Sequence, residues 1–427
     1  MRKFNNIIFV LSMICLVLFL SVGVSAKTTL TYWTFIDPTD PGPRSQVQNT
    51  LIQNFEKEHP EIDVNIEIQQ WDKIATQLII AANSKKGPDL VRIFEPTLME
   101  VVNGNAIAPL NEYIGQITET EKEKYTIPWE ATVVNGEKYG FYWDSRVRNL
   151  WYRKDLLEKV GLNIPEDLPK TLDELAMIAK KVQTETDVVT GIFVPVSVKV
   201  SSSTAESFLP LLYGAGGKIL NEDGTAAFNS EAGVKVAEWI HSLVYKYKAM
   251  PEDSPSMSYE DMYQAFLGGS VAFIISGSHR VTEARYDSGL GDNLQTMPIP
   301  SFDAAQPSPA WASGWILAIG KYSENKKEAY ELLKYMTSKE AQLLSVKVAG
   351  EMPSRIDILD DPWFSKSEAK EMASWLEYLN DYPLMLRLPD DWKYLTDCLA
   401  EGLEKIILTD ITAKEALDQA AEKYNRY

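Results

Sequence analysis

Eleven Trp, twenty Tyr and fourteen Phe make 11% of this chain aromatic, and several of the Trp stand beside groups that hydrogen-bond. Trp143-Asp144 sets an indole next to a carboxylate. Trp311-Ala312-Ser313-Gly314-Trp315 sets two indoles around a bare stretch of backbone, where Gly permits close approach. This combination suits a sugar ring. The C–H faces of the ring stack on aromatic planes, and its rim of hydroxyls meets carboxylates, amides and Arg. Taken one at a time, each Trp is more often core packing than ligand contact. Trp71 and Trp239 fall on apolar helix faces and are read as core.

Other chemistries lack their residues. There is no G-x-S-x-G elbow and no H-E-x-x-H zinc motif. Gly217-Lys218 has no Gly five residues earlier, so it is no phosphate loop. No G-x-G-x-x-G follows the first strand, which leaves dinucleotide binding without support. The chain has three His and two Cys, Cys15 and Cys398, too few for a multi-histidine or Cys-rich metal site or a disulfide scaffold. No cofactor and no metal are therefore expected. Glycoside hydrolysis stays open, because it needs only two carboxylates.

The formal charge of −18 argues against nucleic acid as a partner, since phosphate binding needs clustered Lys and Arg. It also argues against a surface built to attract anions, although a local pocket remains free to hold one. The 427 residues suggest two or three domains. No Pro/Gly/Ser linker separates them, so the chain is expected to pass back and forth between lobes through short crossovers.

Residues 1–26 read as a secretory leader: Arg2 and Lys3, an apolar run from Ile7 to Val24, then Val24-Ser25-Ala26 before Lys27. The competing reading is an uncleaved anchor, as the run could nearly span a bilayer. Cys15 lacks the small residue that lipid attachment requires before it. Cleavage leaves Cys398 alone, read as a small buried apolar residue.

The elements that must position the candidate residues alternate. Thr28–Phe35, Ile62–Gln69 and Asp89–Phe94 read as strands, and Gln46–His59 and Trp71–Asn83 as helices. That β-α-β-α-β order implies parallel strands joined by crossover helices. Thr171-Leu172-Asp173-Glu174 and Thr412-Ala413-Lys414-Glu415 are capping boxes opening later helices, and Ser230 caps a helix to about Tyr247. Gly191–Val200, Val271–Ser276 and Trp315–Ile319 read as further strands.

Four stretches together resemble the sugar-type extracellular solute-binding proteins of bacterial ABC importers, the family that includes maltose-binding proteins. Phe55 to Val64 (FEKEHPEIDV) is similar to its helix-then-strand opening. Pro88-Asp89-Leu90-Val91 is similar to its "PDV" strand start. Asn149 to Leu157, continuing to Thr171-Leu172-Asp173-Glu174-Leu175, resembles "LYYNKDLFEKAG…TWDEL". Ser313-Gly314-Trp315, then Tyr330 to Ser338 and Met352-Pro353-Ser354-Arg355, resembles "GGW…AWEFLKFLTS…LPAR". The order and spacing of the four carry the resemblance. Arg153-Lys154 and Ser313 depart from the pattern, and Asp37–Arg44 is read as an extended loop after the first strand.

The resemblance implies an α/β, two-lobed, type II-like periplasmic-binding-protein fold. Its ligand cleft lies between lobes hinged by two or three crossovers. Residues 27–138 with 297–342 would form the N-terminal lobe, and 139–296 with 343–427 the C-terminal lobe. The cleft residues it implies are Trp33, Arg44, Glu95, Trp143, Asp144, Gly277, Ser278, Trp311, Ser313, Gly314, Trp315 and Arg355. Trp143, Trp311 and Trp315 would stack on sugar faces, Asp144 and Glu95 would accept from hydroxyl pairs, and Arg355 would donate as a planar fork. Asp89 reads as a turn cap and His279 as a surface or hydrogen-bonding residue. Arg355 has an alternative role, pairing with a carboxylate across the hinge.

The expected function is capture of a carbohydrate, an oligosaccharide, and its delivery to ABC permease subunits by a periplasmic monomer that breaks no bond. The charge and the Trp-rich set favour a neutral sugar. Two alternatives stand beside it: a secreted glycosidase or lyase, and a sensor subunit presenting a bound sugar to a receptor.

Overall fold

The computed structural model describes residues 27–426 apart from 116, 117, 126, 385 and 387. The leader, with Cys15, lies outside the described residues. Strands start where β-branched and aromatic residues cluster: β1 (Thr28–Thr34), β2 (Ile62–Ile68) and β3 (Leu90–Phe94). β4 (Val133–Val134) and β5 (Glu137–Lys138) pair with each other alone. There follow β6 (Phe141–Tyr142), β7 (Asp144–Arg153), β8 (Thr190–Phe193), β9 (Val271–Gly277) and β10 (Leu294–Met297). The last four are β11 (Ala310–Ser313), β12 (Trp315–Ile319), β13 (Met352–Pro353) and β14 (Pro383–Leu384).

The first sheet runs β2-β1-β3-β12-β6. β1 is parallel to β2 and β3, while β12 is antiparallel to both β3 and β6. Every residue of β3 is buried, as a strand covered on both faces requires. One cover is the helix Pro43–Glu58, which opens on Pro where no amide donor is needed, with Lys326–Met336 and Lys339–Ala349 beside it. The other is Ile74–Asn83 with Leu98–Asn103.

The second sheet runs β14-β11-β7-β9-β8, with β10 and β13 also on β7. β7 is its spine. It pairs antiparallel with β9, β10, β11 and β13 along its ten residues. The helices Leu172–Glu185 and Ala413–Asn425 start in the capping boxes read from the sequence, and both pack into the core of this lobe. Cys398 is buried there in the helix Trp392–Leu408.

The chain passes between the sheets at three places. β6 leads into β7 through Trp143, β11 into β12 through Gly314, and the helix Lys339–Ala349 into β13 through Gly350-Glu351. Gly314 is required by contact: a Cβ there would lie 2.2 Å from the Asp144 carbonyl oxygen. These points differ from the expected lobe boundaries. β6 is still bonded to the first sheet, past residue 138, and β11 to the second, past residue 297. The helix Lys339–Ala349 packs on Pro43–Glu58, past residue 342. Hydrogen-bond partners set the exchange points, and these strands are too short to be read without them.

Two elements also differ. The strand expected over Gly191–Val200 ends at Phe193, because Pro195 donates no ladder hydrogen bond and the Ser197 hydroxyl turns the chain by accepting from Lys199 N. The helix expected from Trp71 begins at Ile74, which leaves Trp71 in the preceding turn. Among the described residues, no helix is long and apolar enough to cross a membrane.

Candidate functional site

The three crossovers meet in a buried network of charge. Arg92 on β3 donates from Nη2 to Asp144 Oδ2 at 3.0 Å, and the Trp315 amide donates to Asp144 Oδ1 at 2.8 Å. Glu351 accepts from Arg44 Nε at 3.0 Å, Trp143 Nε1 at 3.0 Å and the Ser345 hydroxyl at 2.6 Å, with Arg92 3.6 Å away. Burial would raise the Glu351 carboxyl, but Arg44, Arg92 and these hydrogen bonds outweigh it and hold it down at about 2. Arg92 also lies over the Phe35, Trp143 and Trp315 rings.

Next to this hinge, a cavity of about 280 Å³ opens between the lobes. The first lobe lines it with aromatic faces: Phe35 just past β1, Phe94 at the end of β3, Trp315 at the start of β12, and Trp71. Phe35 and Phe94 lie 4.2 and 5.4 Å from the Trp315 ring. The loop 36–42 and Arg44 complete this wall, the loop held by Asp37 accepting from Thr39 and Asp40 accepting from Gly42. The second lobe contributes polar groups: Arg146 and Arg148 from β7, Glu206, Tyr259, His279 and Arg280. Alternation along β7 sets Asp144, Arg146 and Arg148 on one face.

Arg148 Nε donates to Glu206 at 2.8 Å, and Arg280 forks onto Glu260 at 2.8 and 3.0 Å. Burial, then the charges of Arg146, Arg44 and Arg148, drive the His279 imidazole well below its ordinary value, so it is neutral. Across the mouth, Arg44 of the first lobe stands 3.6 Å from Glu283 of the second. A second cavity of about 210 Å³ shares Trp71 and Phe94 with the first and continues towards Ser201 and Trp392. Among the described residues, no group of three His, Cys, Asp or Glu is placed to hold a metal ion.

Of the residues named from the sequence, Arg44 and Trp315 line the first cavity. Asp144 and Trp143 lie beneath it, committed to Arg92 and Glu351. Gly314 is the crossover itself, and Ser313 is buried beside it. Gly277 ends β9, and Ser278 accepts from Val147 N and donates to Met352 Sδ. Trp311 is buried and stacks on Trp392 at 6.3 Å. Glu95 lines a neighbouring interlobe cavity of about 300 Å³. Burial and the Glu206 charge push its carboxyl up to about 8 against the pull of Arg146.

Trp33 lies away from the cleft, donating to Glu67 at 2.7 Å on the far side of the sheet edge. Arg355 forks onto Asp357 at 2.9 and 2.6 Å, a pair within its own segment rather than across the hinge, with its guanidinium 5.3 Å from the Tyr125 ring. Trp71, read as core, and His279, read as a surface or hydrogen-bonding residue, both line the first cavity, and His279 does hydrogen-bond, with Arg146. Phe35, Phe94, Arg146, Arg148 and Glu206 were not singled out. The period-two spacing of the β7 arginines was the available signal.

The sequence of residues 42–343 matches the family model described as bacterial extracellular solute-binding protein. The chain belongs to this family. A binding protein of Brucella abortus is 24% identical over 386 residues, covering 86% of each chain. The sn-glycerol-3-phosphate-binding periplasmic protein UgpB of Rhizobium meliloti is 23% identical over 378 residues, covering 81% of this chain and 82% of its own. A solute-binding protein of an ABC transporter from Thermotoga lettingae, solved with α-D-tagatose bound, superposes with a TM-score of 0.80. It is 26% identical and covered over 94% of this chain and 99% of its own. The fold is thus that of the two-lobed, sugar-type solute-binding proteins, and the family places this binding protein outside the cytoplasm.

Proposed function

We propose that this solute-binding protein captures a carbohydrate, an oligosaccharide, between its lobes and delivers it unchanged to ABC permease subunits in the membrane. It works as a periplasmic monomer after its leader is removed. The observation that carries the reading is the interlobe cavity, with aromatic faces on one wall and Arg, Glu and Tyr on the other. That is the division a sugar requires between its C–H faces and its hydroxyl rim. The second cavity, joined at Trp71 and Phe94, supplies room beyond one ring. The tagatose-bound relative is consistent with a sugar ligand. Glu206 and Glu260 are each tied to an Arg, so neither stands free to act as one of the two carboxylates of hydrolysis.

Thermal unfolding of residues 27–427 with a panel of saccharides tests this. A ligand at about 100 times its Kd stabilises by roughly 2.7 kcal/mol. A raised midpoint with the sugar recovered intact supports capture. Conversion of the sugar overturns it in favour of an enzyme, and no shift with any saccharide overturns the carbohydrate.

A further inference from the structure

We infer that the sugar unit held in the first cavity carries a carboxylate, and that Arg146 is the residue that recognises it. This rests on the carbohydrate reading above and narrows its substrate class to acidic saccharides.

The argument begins with the Nε–Nη2 edge of arginine, which offers a carboxylate two parallel donors. Four other arginines fill that edge, while at the hinge Arg44 Nη2 and Arg92 Nε each stay unbonded. Arg148 spends it on Glu206, Arg153 on Asp155 and Arg355 on Asp357. Arg285 spends it on the Leu294 carbonyl. Arg146 is buried like Arg148, 6% exposed, yet its Nε and Nη2 have no hydrogen-bond partner. Its remaining nitrogen, Nη1, donates to His279 Nε2 at 3.4 Å.

Among the described residues, no carboxylate hydrogen-bonds Arg146 Nε or Nη2, although Asp144, Glu206 and Glu95 are near enough to feel its charge. The Asp144 carboxylate stands 3.7 Å from Arg146 Nη2, beyond hydrogen-bond reach, and both its oxygens already accept from Arg92 and the Trp315 amide. Glu206 is taken by Arg148, and His279 is neutral. A buried guanidinium left with unmade hydrogen bonds is costly, and a planar anion is the group that completes it.

The surroundings say what bears that anion. The Arg146 guanidinium lies 5.4 Å from the Phe94 ring and 5.5 Å from the Trp315 ring. A pyranose stacked on those faces presents a ring carboxylate at its rim, beside Arg146. Arg146 leaves both nitrogens of one fork open, whereas Arg44 and Arg148 in the same lining each leave a single nitrogen unbonded. The mouth of the cavity carries exposed Asp37, Asp40, Glu260 and Asp287, which oppose a dianion more than a monoanion. The observations therefore favour a single carboxylate over a phosphate ester. They also run against the neutral sugar expected from the net charge, because net charge describes the whole surface and Arg146 acts locally.

The test is calorimetric titration of residues 27–427 with matched pairs: oligogalacturonates against oligogalactosides, and glucuronate-bearing xylotriose against xylotriose. Glucose 6-phosphate and glycerol 3-phosphate form a third arm. The acidic member of at least one pair is expected to bind about 100-fold tighter than its neutral match, the size of a bidentate charged contact. Arg146→Met should abolish that ratio, costing the acidic member far more affinity than the neutral one, and Arg146→Lys, which keeps charge without the fork, should restore only part of it. The pairs measured on the unaltered protein stand even where a variant folds poorly. Equal or tighter binding of the neutral members overturns this inference and leaves the carbohydrate reading in place. Preference for the phosphate esters overturns it too. Absence of binding by every saccharide overturns both.

Discussion

At the hinge, Arg92 meets Asp144 and Glu351, and both oxygens of each carboxylate are taken up by donors from the first lobe and the Trp143 crossover. Two residues along β7 from Asp144, Arg146 lines the cavity with two nitrogens unbonded. Both regions are buried, cationic and framed by aromatic rings. They differ in whether the chain supplies its own counter-groups. Where it does, charge fixes the geometry of the crossovers. Where it does not, the site remains unfinished until a ligand arrives. Saturation marks the hinge carboxylates as structural better than residue type does, although Arg44 Nη2 and Arg92 Nε beside them stay unbonded; Asp144 and Trp143 had the right chemistry for a ligand and serve the hinge instead.

The largest way to break the contrast is at Glu351. Glu351→Gln leaves Arg44 and Arg92 short of a counter-charge and should destabilise the fold by about 3–5 kcal/mol, read by urea unfolding. An unchanged midpoint would mean that the network does not hold the lobes.

Trp71 offers the opposite case. It is partly exposed and lines both cavities. Trp71→Ala should weaken sugar binding by about 2 kcal/mol, roughly 30-fold, while the thermal midpoint of the free protein barely moves. A large loss of stability with unchanged affinity would return Trp71 to the core.

Titration sharpens the same division with two carboxyls of opposite sign. Glu351, held at about 2 against an ordinary 4.5, contributes stability that is complete above pH 4.5 and is lost as pH falls towards 2. Glu95, pushed up to about 8, does the reverse: stability present below pH 4.5 is lost as pH rises to about 8. Glu95→Gln should flatten that alkaline slope, on the order of 1–3 kcal/mol, in a series of unfolding midpoints against pH. A slope that survives the substitution belongs to another group.

The smallest effect is expected at the mouth. The Arg44–Glu283 pair bridges the lobes at 3.6 Å and is partly exposed. Glu283→Gln should shift affinity by no more than about fivefold, mainly through faster release, since such pairs contribute under about 1 kcal/mol. Stopped-flow dissociation rates at low and high salt would show it.

Much of this was legible in the residues themselves. The β-α-β-α-β opening, the capping boxes at Thr171 and Thr412 and the strand Trp315–Ile319 all follow from local propensity and periodicity. Those act over a few residues and need no partner. Short strands such as β6, β11 and β13 carry no such signal and exist through their pairing. The family's four motifs located the crossover segments, so the residues named from them fell largely at the hinge. The composition and order of the chain thus settled the class of fold and the presence of aromatic and carboxylate chemistry. The tertiary structure alone decided which of those groups are satisfied. A hydrogen bond between Arg92 and Asp144, or between Trp143 and Glu351, joins residues far apart in the chain. Whether Arg146 Nε and Nη2 are left without one depends on where the carboxylates have been placed.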